Sequence, residues 1–220
     1  MDKRFAIFDM DGTLVDSMSY WRSLAVEFLK RKGIRTISPD ILEEIKPMTM
    51  TESAARFIRE YGLSGTPEDL AAEMNAMMDE HYRRDIPLKA GVQAYLEMLH
   101  RKGTVMCVAS ATAEELMDAC LTRLGVTQYF SFLLSCETVG AGKKQPDVYL
   151  EAARCFGARP QDIAVFEDAL YAAKTAKQSG FYTVAVPDDS NQPHWESLTA
   201  LADEIIHDWQ TAAQTGSIAN

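Results

Sequence analysis

The sequence lacks the marks of several functional classes. Its four cysteines, Cys107, Cys120, Cys136 and Cys155, form no CxxC pair. That speaks against a zinc site and reads as reduced thiols, with Cys107 a small core residue inside an apolar run. No apolar stretch is long enough to cross a bilayer, so no membrane partner is expected. Basic residues are short: 22 Lys and Arg against 32 Asp and Glu leave a formal charge of -10. A nucleic-acid binder usually carries a basic face, so none is expected as a partner. Internal repeats and low-complexity tracts are missing. Near the start, Lys3 and Arg4 precede only a short apolar run that stops at Asp9, which is not the pattern of a secretory leader. A cytoplasmic protein is the expectation. What remains is 220 residues, 47% hydrophobic and 25% charged, enough for one large globular domain or a domain with an insertion.

The most informative segment is Phe5-Ala6-Ile7-Phe8-Asp9-Met10-Asp11-Gly12-Thr13. A strand-type apolar run ends at two aspartates two residues apart, which an extended chain points to the same side. Carboxylates at the mouth of a buried strand are costly unless something positive sits there. A divalent cation and a phosphoryl group together resolve that cost, and the net negative charge does not exclude them.

The order of elements follows from periodicity. Residues 17–32 have helical spacing (Trp21, Leu24, Ala25, Phe28, Leu29) and stop at Gly33. Further helices are expected at 39–46, at 51–61 with Thr51 as a cap, and at 67–84 behind Thr66. No strand pattern occurs from 17 to 87, and Met74, Met77 and Met78 read as core of this helical block. Beyond it, helices at 91–102, 113–124, 146–156 and 169–179 alternate with strands at 104–109, 130–134, 163–166 and 182–186, with a short last strand at 204–207. Alternating strands and helices mean a parallel sheet with right-handed crossovers. The expected fold is α/β, a Rossmann-like three-layer parallel-sheet core interrupted after its first strand by a helical cap domain. Residues 1–15 and 88–220 form the core and 16–87 the cap, with connectors at 14–17 and 85–91. Ligands of such sheets sit beyond the carboxyl ends of the strands, where Asp9, Ser110 and Asp168 all fall. A helical block beside that edge is placed to act as a lid.

In this arrangement the chain resembles the haloacid dehalogenase superfamily, in the β-phosphoglucomutase and phosphoglycolate phosphatase branch. Four dispersed motifs carry the resemblance, in order: the DxDGT box Asp9-Met10-Asp11-Gly12-Thr13, Ser110 ending a core strand, Gly142-Lys143-Lys144-Gln145-Pro146-Asp147, and the acidic pair Glu167-Asp168. The resemblance implies a phosphatase acting on a small phosphorylated metabolite with Mg²⁺ as cofactor. Asp9 is then the nucleophile that forms an aspartyl-phosphate, and Asp11 the general acid and base. The metal is held by Asp9, the backbone carbonyl of Asp11, Asp168 and, directly or through water, Glu167. Ser110 and Lys143 bind phosphate oxygens together with backbone N–H groups of the Gly12-Thr13 turn. Lys46 and Thr49 are candidates for the cap loop that inspects the leaving group.

Alternatives stand beside several of these roles. Ser110 competes with Thr112 as the phosphate-binding hydroxyl, and Lys143 with Lys144, which stands where proline is usual in the family. Lys46 reads equally as a helix C-terminal cation. Ala111 replaces an asparagine common among relatives. Trp21 occupies the place of a histidine, and Met50 that of an arginine, that mutases of this branch use to favour a sugar over water. Hydrolysis is therefore expected over the mutase reaction, and a non-catalytic binding protein is the third reading. A monomer is the default expectation.

Overall fold

The computed structural model describes residues 3–215; residues 1–2 and 216–220, the outer ends of the expected core segments, lie outside it. In chain order the elements are β1 (Phe5–Phe8), α1 (Met18–Arg31), α2 (Pro39–Ile45), α3 (Met50–Tyr61), α4 (Pro67–Arg84), α5 (Val92–Arg101), β2 (Val105–Ser110), α6 (Glu114–Arg123), β3 (Phe130–Ser135), α7 (Cys136–Val139), α8 (Asp147–Phe156), β4 (Ile163–Glu167), α9 (Leu170–Gln178), β5 (Tyr182–Ala185), α10 (Trp195–Leu201), β6 (Glu204–Ile205) and α11 (Trp209–Thr215).

The six strands form one parallel sheet in the order β3-β2-β1-β4-β5-β6. Side-chain alternation divides its faces. Ala6, Phe8, Met106, Val108, Ala164 and Phe166 pack on one side against apolar residues of α5, α6 and α11. Ile7, Cys107, Ala109, Ile163 and Val165 pack on the other against Val148, Tyr149, Ala152 and Ala153 of α8. Burial on both faces explains why these strands read as unbroken apolar runs. Phe8 stacks on Phe166 at 4.3 Å between ring centroids, where the pairing Phe8↔Phe166 puts them side by side.

Of the five helices between β1 and β2, the first four, α1 to α4, form the helical insertion. Their buried stripes include Phe28, Ala54, Phe57, Leu70, Met74 and Met78, and Phe28 stacks with Phe57 at 6.2 Å. The two connectors run side by side: the Asp16 amide donates to the Pro87 carbonyl and the Lys89 amide to the Leu14 carbonyl. Val15 bridges to both Asp11 and Leu88.

Three details depart from the sequence reading. The N-cap of α3 is Thr49, not Thr51: its hydroxyl accepts from the Glu52 amide while the Glu52 carboxylate accepts from the Thr49 amide. This reciprocal box is the Thr-x-x-Glu pattern. The last strand is only Glu204–Ile205. Helices α7, α10 and α11 were not expected. The helix expected behind Thr66 does open at Pro67, and Thr66 and Asp69 form a second capping box there.

Candidate functional site

The register of β1, β2 and β4 brings Asp9, Ser110 and Glu167 to one edge of the sheet. Phe8 pairs with Val108 on one side and Phe166 on the other, and the Asp9 amide donates to the Phe166 carbonyl at 3.0 Å. Asp9 thus continues the ladder by one residue, with Ser110 and Glu167 as the last residues of β2 and β4. Asp168 follows directly. All four are buried.

Carboxylate oxygens of Asp9, Glu167 and Asp168 lie within 4.8 Å of one another. Lys143 is buried among them. Its ammonium contacts Asp9 Oδ1 and donates to Glu167 Oε1 at 2.7 Å. The Tyr149 hydroxyl donates to the same Oε1 at 2.6 Å. Lys144 is exposed, so of the two neighbours only Lys143 reaches the acids. Gly142, beside it, lets the segment around Pro47 and Glu52 approach this loop closely. A Cβ there would stand 2.5 Å from the Pro47 carbonyl oxygen and 3.0 Å from Glu52 Oε2.

One ammonium among three carboxylates leaves the cluster short of positive charge. Burial raises the Asp9 carboxyl well above the usual range; Lys143 pulls the other way, while Glu167, Asp168 and Asp11 add to the rise. Burial, then Glu167 and Asp188, push Asp168 up to about 7. Burial alone would pull the Lys143 ammonium down, but Asp9 and Glu167 hold it well above its ordinary value. A buried all-oxygen donor set with excess negative charge fits a hard divalent cation such as Mg²⁺.

The Asp11 carboxylate is held by hydroxyls instead. Oδ1 accepts from Ser17 at 2.6 Å and from Tyr82 at 2.7 Å. Oδ2 accepts from Thr112 at 2.6 Å and from Ser110 at a long 3.4 Å. Ser17 stands at the N-cap of α1 but makes no side-chain cap bond there, because its hydroxyl faces Asp11. Ser110 and Thr112 therefore both reach the site, and neither caps α6, whose N-cap is Ala113. The Asp11 side chain is not in the carboxylate cluster.

Gly12 and Thr13 shape the turn. Gly12 has φ +82°, and a Cβ there would meet Asp168 Oδ2 at 2.7 Å. Thr13 donates its hydroxyl to Asp168 Oδ1 at 3.1 Å, and Asn191 donates to Asp168 Oδ2 at 2.5 Å. Lys89 ties this side together, pairing with Asp188 at 2.8 Å and donating to the carbonyls of Pro187 and Gly12.

The loop before α3 lies against the core. The Thr51 amide and hydroxyl donate to the two Glu137 oxygens at 3.0 and 2.9 Å. The Tyr171 hydroxyl donates to the Lys46 carbonyl at 2.9 Å. The structure gives the two candidate cap-loop contacts other partners. The Lys46 ammonium turns back to Glu43 at 2.6 Å on the exposed side of α2, as expected of a cation at a helix end. The Thr49 hydroxyl is engaged in capping α3. Met50 is buried. Sequence reading missed Tyr82, Tyr149, Glu137, Lys89 and Asn191. Tyr82 lies on the buried stripe of α4 with Met74 and Met78, a spacing that signals core alone.

The family model for haloacid dehalogenase-like hydrolases matches residues 6–186. The chain belongs to that family. It is 29% identical over 210 residues to (DL)-glycerol-3-phosphatase 1, mitochondrial, of Arabidopsis thaliana, covering 91% of this chain and 68% of the relative. It is 25% identical to validoxylamine A 7'-phosphate phosphatase of Streptomyces hygroscopicus subsp. limoneus, over 93% of each chain. Its fold is similar to that of a CbbY mutant from Rhodobacter sphaeroides solved with xylulose-(1,5)bisphosphate: TM-score 0.82 and 20% identity, covering 94% of this chain and 95% of the other. Like these curated relatives, the chain is a phosphoric monoester hydrolase. Among the described residues no helix is long and apolar enough to cross a membrane.

Proposed function

We propose that this protein is a Mg²⁺-dependent phosphatase that hydrolyses a small phosphate monoester through an aspartyl-phosphate on Asp9. The observation that carries the reading is the buried convergence of Asp9, Glu167 and Asp168 around the single ammonium of Lys143, with Asp11 beside it under hydroxyl control.

Asp9 attacks phosphorus: the bond from its carboxylate oxygen to phosphorus forms as the ester P–O bond breaks. Asp11 gives a proton to the departing alkoxide, then takes one from the water that opens the aspartyl-phosphate. Lys143 and Ser110, with backbone amides of the Gly12-Thr13 turn, bind the non-bridging oxygens. Mg²⁺ held by Asp9 and Asp168 would offset the repulsion between carboxylate and phosphate. Glu167, bonded through Oε1 to both Lys143 and Tyr149, orients the lysine and would hold the cation directly or through water. Helices α1 to α4 act as the cap, with Thr51–Glu137 and Tyr171–Lys46 holding it against the core.

The test is phosphate release from a panel of phosphate monoesters with and without Mg²⁺. Asp9→Asn is expected to remove turnover by about three orders of magnitude or more while the protein stays folded; release retained in that variant would overturn the nucleophile assignment. Including β-glucose 1-phosphate with a bisphosphate primer separates hydrolysis from the mutase reaction. Glucose 6-phosphate formed without free phosphate would refute hydrolysis.

A further inference from the structure

Resting on that phosphatase reading, we propose that Tyr82 is a positioning residue for Asp11, aimed by Trp21, and that together they decide which oxygen of Asp11 exchanges the proton. Tyr82 is fully buried and its hydroxyl meets three polar groups from three other segments. It donates to Asp11 Oδ1 at 2.7 Å, takes the Trp21 indole N–H at 2.9 Å, and lies 3.2 Å from Thr112 Oγ1.

The direction of this chain is fixed by chemistry. An indole N–H only donates, so the Tyr82 oxygen accepts from Trp21 and turns its own proton toward Asp11. The phenol keeps that proton, because burial and the charge of Asp11 hold it well above its ordinary range. Ser17 donates to the same Oδ1 at 2.6 Å. Oδ2 has two donors as well, Thr112 at 2.6 Å and Ser110 at a long 3.4 Å, but only on Oδ1 are both bonds short, so the exchanged proton belongs to Oδ2, the more weakly held oxygen. Thr112 has an alternative there: when Oδ2 is protonated, its hydroxyl can turn its hydrogen to the second lone pair of the Tyr82 oxygen.

In the first half-reaction the Oδ2–H bond breaks, and its proton passes to the ester oxygen leaving phosphorus as the Asp9 oxygen–phosphorus bond forms. In the second half, water oxygen bonds to phosphorus, the Asp9 oxygen–phosphorus bond breaks, and a water proton returns to Oδ2. Tyr82 takes no part in either transfer; it keeps Oδ1 occupied and the carboxylate in one rotamer. Its backbone is tied to the core as well. Arg123 of α6 donates to the Tyr82 carbonyl at 2.8 Å and also contacts the Ile86 carbonyl. The Asp11 clamp therefore sits at the anchored end of α4, beside the connector.

The test uses the full-length protein. The chain has three tryptophans, and the Trp21 indole N–H signal in a nitrogen–proton spectrum is the one lost in Trp21→Phe. Both Tyr82→Phe and Asp11→Ala are expected to move that signal while the other two indoles stay, although Trp21 does not touch Asp11. In phosphate release, Tyr82→Phe is expected to lower kcat on the order of tenfold with KM within about twofold. That is a fraction of the roughly 10²–10⁴ supplied by general acid–base catalysis. Trp21→Phe should give a smaller loss in the same direction. An unmoved Trp21 signal in Asp11→Ala overturns the hydrogen-bond chain, and an unchanged kcat in folded Tyr82→Phe overturns its positioning role. Absence of phosphate release from the unmodified protein would instead refute the phosphatase reading, and the spectrum, which needs no turnover, separates the two failures.

Discussion

Raising the pH should destabilise the metal-free protein, and Asp168 sets the size of the effect. Its carboxyl titrates near 3.8 when unfolded and is pushed up to about 7 in the folded chain, first by burial and then by Glu167 and Asp188. Between those values the folded state binds more protons than the unfolded one, so stability falls as pH rises through the window and is largest at its acid end. At about 1.4 kcal/mol per pH unit, the interval from pH 5.5 to 7 removes about 2 kcal/mol. Asp9, also raised, acts with the same sign. For a chain of this size each kcal/mol moves the melting temperature by about 2–4 °C, so Tm in EDTA should fall by about 4–8 °C across that interval. Thermal melts followed by circular dichroism would measure it. Asp168→Asn carries no charge at any pH and should flatten the slope, and Mg²⁺ should raise Tm most at the alkaline end, where the carboxylates are ionised. Parallel pH profiles for the unmodified protein and Asp168→Asn, or a Tm that climbs from pH 5.5 to 7, would refute the argument.

Other substitutions probe the remaining contacts. Lys143→Met leaves two buried carboxylates without their ammonium and should cost about 3–5 kcal/mol, read from denaturant unfolding in EDTA; a loss under 1 kcal/mol would deny the ion pairs their role. Gly142→Ala puts a methyl 2.5 Å from the Pro47 carbonyl and should push the loop before α3 off the core. Catalytic efficiency is then expected to fall about tenfold with little change in Tm, and unaltered kinetics would show that the loop does not need this approach. Thr49→Ala removes one half of the α3 capping box and should destabilise by about 1 kcal/mol, whereas Thr51→Ala, which loses only the hydroxyl bond to Glu137, should leave the helix cap intact.

The site was legible where chemistry concentrates in local patterns. Asp9, Asp11, Lys143, Glu167 and Asp168 each follow an apolar run or a glycine that fixes where the chain turns, so their order along the sequence was enough to anticipate a shared edge. The long helices were equally readable, because α1, α4 and α5 run for 10 to 18 residues with apolar positions at helical spacing. The short α7, α10 and α11 were not: four to seven residues hold too few turns to show a period, and they lack the Ser38-Pro39 start that marked the equally short α2. Tyr82 illustrates a different limit. Its spacing from Met74 and Met78 says only that it is buried, and the target of its hydroxyl depends on how α4 meets β1 and β2. Asn191 and Lys89 belong to the same class, since their partners Asp168 and Asp188 come from other turns of the fold. The cap of α3 was misplaced for a simpler reason: Thr49 and Thr51 are both plausible initiators, and only the glutamate three positions after Thr49 tells them apart.

The sheet order also bears on how the chain assembles. β1 is made before both of its partners and ends between them, β2 and β4 beginning at Val105 and Ile163. During synthesis the strand that carries Asp9 therefore waits, unpaired on both edges, while α1 to α4 are completed from contacts mostly among themselves. Pairings this distant in sequence form slowly, and an apolar strand left open at both edges is prone to join a neighbouring chain. Among the described elements the helical insertion is then the first able to fold beside that strand. Chains truncated after residue 104 are expected to show helical circular dichroism without a sheet, and to aggregate less when Phe8 is replaced by a charged residue.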